Sequence, residues 1–197
     1  MTPGADVADV VEPAVVVVTA PLIDPATPSW LRPLAWVLAQ LNLVMAALGM
    51  LALLAASLIL TSSVVMRYFL HASTDWQDEA AVFCLVGATF LCGGFVQNLR
   101  GHIGIEAVSQ LFSPAVNRVR QMLVDLMCLL FCGFFAWKSW TLWYEAWSEG
   151  QTTSSTWAPP LWIPYGLMAA GMSLLVLQLL VQWITGLNGL LARGGRA

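Results

Sequence analysis

Four long apolar runs separated by short polar breaks make up most of this 197-residue chain. The first lies between Pro33 and about Val65, and no charge interrupts the sequence from Pro33 to Met66. The second runs from about Gln77 to Val96, with no charge from Ala80 to Leu99. The third opens on "SP", where Ser113 can cap a helix and Pro114 can take the first helical position, whose missing N–H costs nothing there. It continues without a breaker to about Glu149 and stops at Gly150. The fourth starts at Pro159-Pro160, passes Pro164 near its first turn and runs to about Leu187. A membrane-crossing helix needs about 20 predominantly apolar residues, so each run is long enough to span. The third, at ~1.5 Å per residue, reaches about 54 Å against a ~30 Å hydrocarbon core and must tilt or project into water.

The breaks carry less pattern. Between the second and third runs lies "RGHIGIEAVSQLF", where Ile105, Val108, Leu111 and Phe112 share one helical face and Glu106, Ser109 and Gln110 the other. The segment is too short to span. It is expected to form an amphipathic helix in the inner membrane interface, or a docking helix for another protein, and the two roles are compatible. The first 29 residues hold Pro13, Pro21, Pro25 and Pro28 and no Lys or Arg, so they lack the positive n-region of a signal peptide and read as a disordered tail. The expected organisation is a tail over 1–29, an all-α membrane domain of four spans over 30–190, and a short tail over 191–197.

Composition agrees with the pattern. The chain is 59% hydrophobic and 10% charged, whereas a soluble domain carries about 25% charged residues. That is too little charge to solvate a surface in water. A net charge of −3 without a basic patch argues against a nucleic-acid partner. With four spans both termini share a side, and that side carries Arg32, Arg100, Arg118, Arg120, Arg193 and Arg196. The other side has Arg67, with Lys138 approaching it from within the third run. The positive-inside rule therefore places both termini in the cytoplasm. Trp76, Trp140, Trp143, Trp147, Trp157 and Trp162 fall near the outer ends of spans, as an interfacial belt requires.

Candidate chemistry is sparse. Cys84, Cys92, Cys128 and Cys132 lie inside spans. Cys128 and Cys132 are one turn apart, but no His or carboxylate completes a metal shell, and free cysteine packs as a small hydrophobe. Ala80, Cys84, Ala88 and Cys92 form a row spaced by four, which lets helix backbones approach closely in lipid. The two histidines, His71 and His102, fall on opposite sides of the bilayer, so they cannot ligate one haem, and neither shares a depth with a buried serine. No metal and no cofactor is expected. Ionisable groups inside spans are functional candidates by default. Asp125 lies about one turn inside the inner boundary with Gln121 and Arg118 on its face, and Lys138 lies near the outer boundary with Glu145 two turns later. They can snorkel, pair with a partner subunit, or line a path for a solute.

One cluster is denser. In "MRYFLHASTDWQDEAAVF" Arg67 ends the first helix, while Asp78 and Glu79 open the second behind Trp76. Ser73 or Asp75 can cap the second helix, and the macrodipole favours carboxylates in its first turn. Arg67 can neutralise one of them across the hairpin. The cluster reads as a clamp, with docking of an outer partner as a second use. No pocket-lining polar groups accompany it, so catalysis is not expected.

Three motifs in order, "VVMRYFLHASTDWQDEAAVF", "RGHIGIE" and "EGQTTSSTWAPPLWIPYG", make the chain resemble the small membrane subunit, DctQ-like, of tripartite ATP-independent periplasmic (TRAP) transporters. The similarity covers about Leu34 to Leu187. It rests on Arg67 and Tyr68; Trp76, Asp78 and Glu79; Gly101, His102 and Ile103; Gly150 and Gln151; and Pro160, Trp162, Pro164 and Tyr165. The resemblance implies a non-enzymatic subunit of the bacterial inner membrane. It would brace a separate large membrane subunit, one copy to one, that carries organic acids with sodium ions by an elevator-type movement. A periplasmic binding protein would deliver the substrate. The acidic, Pro-rich tail is not required by the family pattern. The competing readings are an autonomous small transporter acting as a homodimer, with Asp125 or Lys138 in its path, and an anchor subunit of a redox enzyme.

Overall fold

In the computed structural model, residues 27–71, 74–99 and 114–194 are described. The expected interfacial helix, residues 1–26 and 195–197 of the expected tails, and the capping roles of Ser73 and Ser113 lie outside the described residues, as do the side chains of Asp75 and Arg118, whereas 191–194 of the expected C-terminal tail are helical. Four helices account for nearly all of the rest: α1 (Arg32–Val65), α2 (Asp75–Asn98), α3 (Pro114–Ser148) and α4 (Trp162–Gly194). All four are long and apolar enough to cross a membrane.

Local chemistry sets their ends. The Pro28 carbonyl accepts from the N–H groups of Leu31 and Arg32 at 3.0 and 3.2 Å, and Pro33 follows in the first turn, where no donor is needed. α1 does not stop at Val65. It continues through a π-helical turn, Met66–Leu70, and ends at His71 in the left-handed region with φ 50°. α2 starts two residues earlier than expected, with Thr74 in the N-cap position and no side-chain cap, because the Thr74 hydroxyl is bonded across the hairpin instead. Asp75 is thus the first helical residue and not the cap. α3 ends as expected. Gly150 adopts φ +62°, and the Gln151 N–H reaches back to the Ala146 carbonyl at 3.0 Å, closing a Schellman motif that only an αL residue at Gly150 allows. α4 runs beyond the expected Leu187, to Gly194.

The helices form an open row in the order α1, α2, α4, α3. α1 is antiparallel to α2 and α3 to α4, but α2 and α4 are parallel neighbours: Gly87 faces Leu167, Phe90 faces Gly171 and Gly93 faces Leu175. The two flanking helices, α1 and α3, make little contact with each other. The start of α1 and the end of α4 therefore lie at one end of the row, the terminal end. The α1–α2 and α3–α4 connections lie at the other, the hairpin end. Lipid tails give no hydrophobic drive for helices to associate, so close packing has to supply it. Gly49 sits over Ala88 and Cys92 on α2, where a Cβ would stand 2.5 Å from the Cys92 sulfur. A Cβ on Gly171 would stand 2.6 Å from the carbonyl carbon of Phe90.

A substitution test separates these contacts. Gly171→Ala forces α4 off the α2 backbone and is expected to cost about 1–3 kcal/mol, read as a lower melting temperature in detergent. Gly133→Ala, where nothing lies within 4 Å, is expected to leave the melting temperature unchanged or slightly raised.

Candidate functional site

At the hairpin end, the π turn of α1 carries Arg67 against the first turns of α2. A π turn takes in an extra residue and so re-aims the side chains that follow it. One Arg67 terminal nitrogen (Nη2) donates to Asp78 Oδ2 and to Thr74 Oγ1, each at 2.9 Å. Ser63 Oγ lies 2.9 Å from Thr74 Oγ1 and 3.3 Å from Asp78 Oδ1. The two hydroxyl residues are buried, whereas the Arg67 and Asp78 side chains are 62% and 50% exposed. An ion pair so open to solvent contributes only about 0–1 kcal/mol by itself. Gln77 is buried beside it and donates to Met66 Sδ at 3.3 Å. Glu79 does not join the pair. One of its carboxylate oxygens is shielded from solvent with no hydrogen-bond partner among the described residues.

The second connection is braced and reaches across to this corner. Thr153 N–H donates to the Pro159 carbonyl at 3.1 Å and Leu161 N–H to the Gln151 carbonyl at 2.9 Å, closing the 151–161 loop on itself. Trp157 of that loop packs edge-on against Trp76, with ring centroids 6.3 Å apart. Behind it Trp140, Trp143, Trp147 and Trp162 form a continuous aromatic ladder between α3 and α4. The Trp140 indole N–H donates to Ser173 Oγ at 3.0 Å.

At the terminal end the structure brings together residues that the sequence pattern did not single out. Asn42 of α1, fully buried, donates to Gln178 Oε1 at 3.1 Å, and Gln178 donates to Asn98 Oδ1 at 2.9 Å. Gln97 donates to Gln182 Oε1 at 2.8 Å, and Gln182 returns a bond to the Gln97 carbonyl at 2.9 Å. Gly94 leaves room for the Asn42 amide, which a side chain there would strike. These five amides join α1, α2 and α4. A signal was available: Gln178 and Gln182 stand one turn apart on one face of an otherwise apolar helix.

The predicted small-residue row divides in two. Ala88 and Cys92 face Gly49, while Ala80 and Cys84 are half-buried. The ionisable residues of α3 also part company. Asp125 is 6% exposed and accepts from Gln121 Nε2 at 2.9 Å, so it is turned away from any surface a partner can reach. Lys138 and Glu145 are exposed and make no ion pair with each other. Lys138 lies ten residues, about 15 Å, from the hairpin end of α3, which is deeper than the near-boundary position expected for it. Phe135 stacks on Phe90 and Trp140 bonds to Ser173, which sets Lys138 level with the middle of the Trp76–Asn98 and Trp162–Gly189 spans.

Among the described residues no group of three His, Cys, Asp or Glu side chains converges. The buried amides that meet join helix to helix. This geometry, with four helices long and apolar enough to cross a bilayer, is that of a multi-pass membrane protein. Comparison with known families then makes it specific. The profile of the DctQ component of tripartite ATP-independent periplasmic transporters matches residues 56–189, and the chain belongs to that family, the small membrane component of TRAP transporters. No curated protein and no solved structure matches the chain.

The amide ladder yields a measurable coupling. Gln182→Leu removes both bonds to Gln97 and is expected to cost about 1–2 kcal/mol. Gln97→Leu/Gln182→Leu, which strands no amide, is expected to recover part of that loss in a thermal-melt double-mutant cycle.

Proposed function

We propose that this chain is the bracing and docking subunit of a binding-protein-dependent secondary uptake system for organic acids. The family match over residues 56–189 carries the reading. In this role it packs, one copy to one, against a large membrane subunit that moves the substrate with sodium ions. A soluble binding protein supplies the substrate from outside the inner membrane. The distribution of arginines supports termini in the cytoplasm, with Arg32 and Arg120 at the terminal end against Arg67 at the hairpin end. The hairpin end then faces the periplasm, and Arg67, Trp76, Asp78 and Glu79 form a corner for docking. The alternative, autonomous transport through Asp125 or Lys138, would have to use one of them alone, since Asp125 is buried on α4's side of α3 and Lys138 lies on the outward side.

Purification from mild detergent decides between these readings. The expected result is a much larger polytopic protein recovered with this chain in equal amount. Recovery of the chain alone, as a homo-oligomer that moves solute in liposomes, overturns it. In the intact system Arg67→Ala is expected to change the melting temperature by no more than a few degrees, since the pair is exposed. Uptake in cells is expected to fall several-fold, because the corner it shapes serves a partner.

A further inference from the structure

The outward faces of the two flanking helices differ in chemistry. On α1 the exposed residues Val44, Leu48, Leu51, Leu54 and Leu58 are all aliphatic, which is what lipid tails match. On α3 the exposed residues Met127, Phe131, Phe134, Lys138, Thr141 and Glu145 recur at intervals of three and four and so form one stripe, directly opposite the side that packs on α4. Aromatic residues and Met are enriched where protein meets protein. An ammonium facing lipid near the middle of a span is among the most costly placements a membrane helix can have, and such residues normally face protein or water and pair there.

Nothing among the described residues relieves that cost. The only close attraction to Lys138 is the ring of Trp137, 5.2 Å away. The one ion pair among the described residues is at Arg67 and Asp78. Glu145 is two turns off, about 10 Å along the axis. Asp125 is buried on the opposite side of the helix. The helix continues ten residues beyond Lys138 to Ser148, about 15 Å, so the side chain does not reach the hairpin end by snorkelling.

We propose that the Met127–Glu145 stripe of α3 is the face on which the large membrane subunit packs, and that Lys138 pairs there with a carboxylate which that subunit carries at mid-depth. This rests on the function proposed above and adds the face and the chemistry of contact. α3 packs chiefly on α4, with Phe135 also reaching Phe90 of α2, and is the least buried of the four spans, which leaves this face free for a partner. A second copy of this chain fits poorly. Two copies cross the membrane in the same direction, so a two-fold contact along this stripe would set Lys138 against its own counterpart.

The test uses the complete transporter in its native membrane. A photo-reactive phenylalanine analogue replaces Phe134 in one variant and Leu54 in another. Position 134 is expected to cross-link to the large subunit and position 54 to lipid alone. In the purified complex Lys138→Met is expected to weaken association at least about tenfold, while Lys138→Arg stays within about threefold of the parent. Both variants are expected to keep the melting temperature of the isolated subunit. Lys138→Glu should lose association and regain it when the partner's carboxylate, located by the cross-link, is changed to Lys. Cross-links to the large subunit from position 54 but not 134, self-cross-links from 134, or full association of Lys138→Met overturns this assignment and leaves the proposed function standing. Failure of the parent chain to bring down a larger polytopic protein overturns both.

Discussion

The parallel contact between α2 and α4 is the joint on which the rest of the molecule depends. Parallel neighbours cannot be joined by a hairpin, so the chain has to cross back between them, and α3 is that crossing. With α4 seated against α2, α3 packs mainly on α4 and α1 mainly on α2, with Phe135 reaching Phe90 and Asn42 reaching Gln178 across the joint. An open row with two exposed flanks follows from this topology. The amides of Gln97 and Gln182 and the approach of Gly171 to Phe90 hold the joint. Interhelical bonds in a membrane average about 0.6 kcal/mol, so the ladder adds little to stability. Its effect is on register. A slip of one turn, about 5.4 Å, separates every amide pair at once.

The two ends of the row are built from different materials. The terminal end is tied by neutral amides buried among three helices. The hairpin end is tied by hydroxyls, an exposed ion pair and tryptophans, and Trp76 against Trp157 connects one hairpin to the other. Between them the helices touch through Gly49, Ala88 and Cys92, where backbone meets backbone. Each set of polar groups is spent on joining helices. None of them leaves the convergent group of donors and acceptors that a substrate site needs.

The four spans were legible because length and the absence of charge are one-dimensional properties. Their order in space was not. A few amides scattered through a long apolar run barely lower its mean and break no run counted by charge, so Asn42, Gln97, Gln178 and Gln182 passed as tolerated polar residues, although they fix which helices are neighbours. The clamp was readable in part. The pairing of Arg67 across the hairpin follows from charge and spacing, but the π turn that delivers it leaves no trace in a hydrophobic pattern. The missing cap at Thr74 has the same origin, because its hydroxyl serves a cross-helix bond that local sequence does not reveal. Lys138 looked close to a boundary because depth was counted from the end of its own helix. Yet ten residues of helix follow Lys138, about 15 Å, and the packing of its neighbours against Phe90 and Ser173 sets the level.

Helix length itself carries a last step. α2, with 24 residues, is about 36 Å long and close to the ~30 Å hydrocarbon core, while α3 with 35 residues is about 52 Å. Helices so unequal cannot all match the bilayer by tilting, because tilt is shared wherever two of them pack in register. α2 is locked to α1 by the close approach at Gly49 and to α4 by the amides, so its neighbours must project where it ends. The excess of α1 is used at the hairpin end, where the π turn folds Arg67 back onto α2. Among the described residues the excess of α3 and α4 has no such internal use. It stands out from the row as rigid helix, and rigid projections beside a membrane-embedded face give a partner subunit two surfaces to hold at once. Linking two contacts on one rigid body makes the second effectively intramolecular, so modest contacts at the membrane face and at a projecting end can together hold a complex that neither would hold alone.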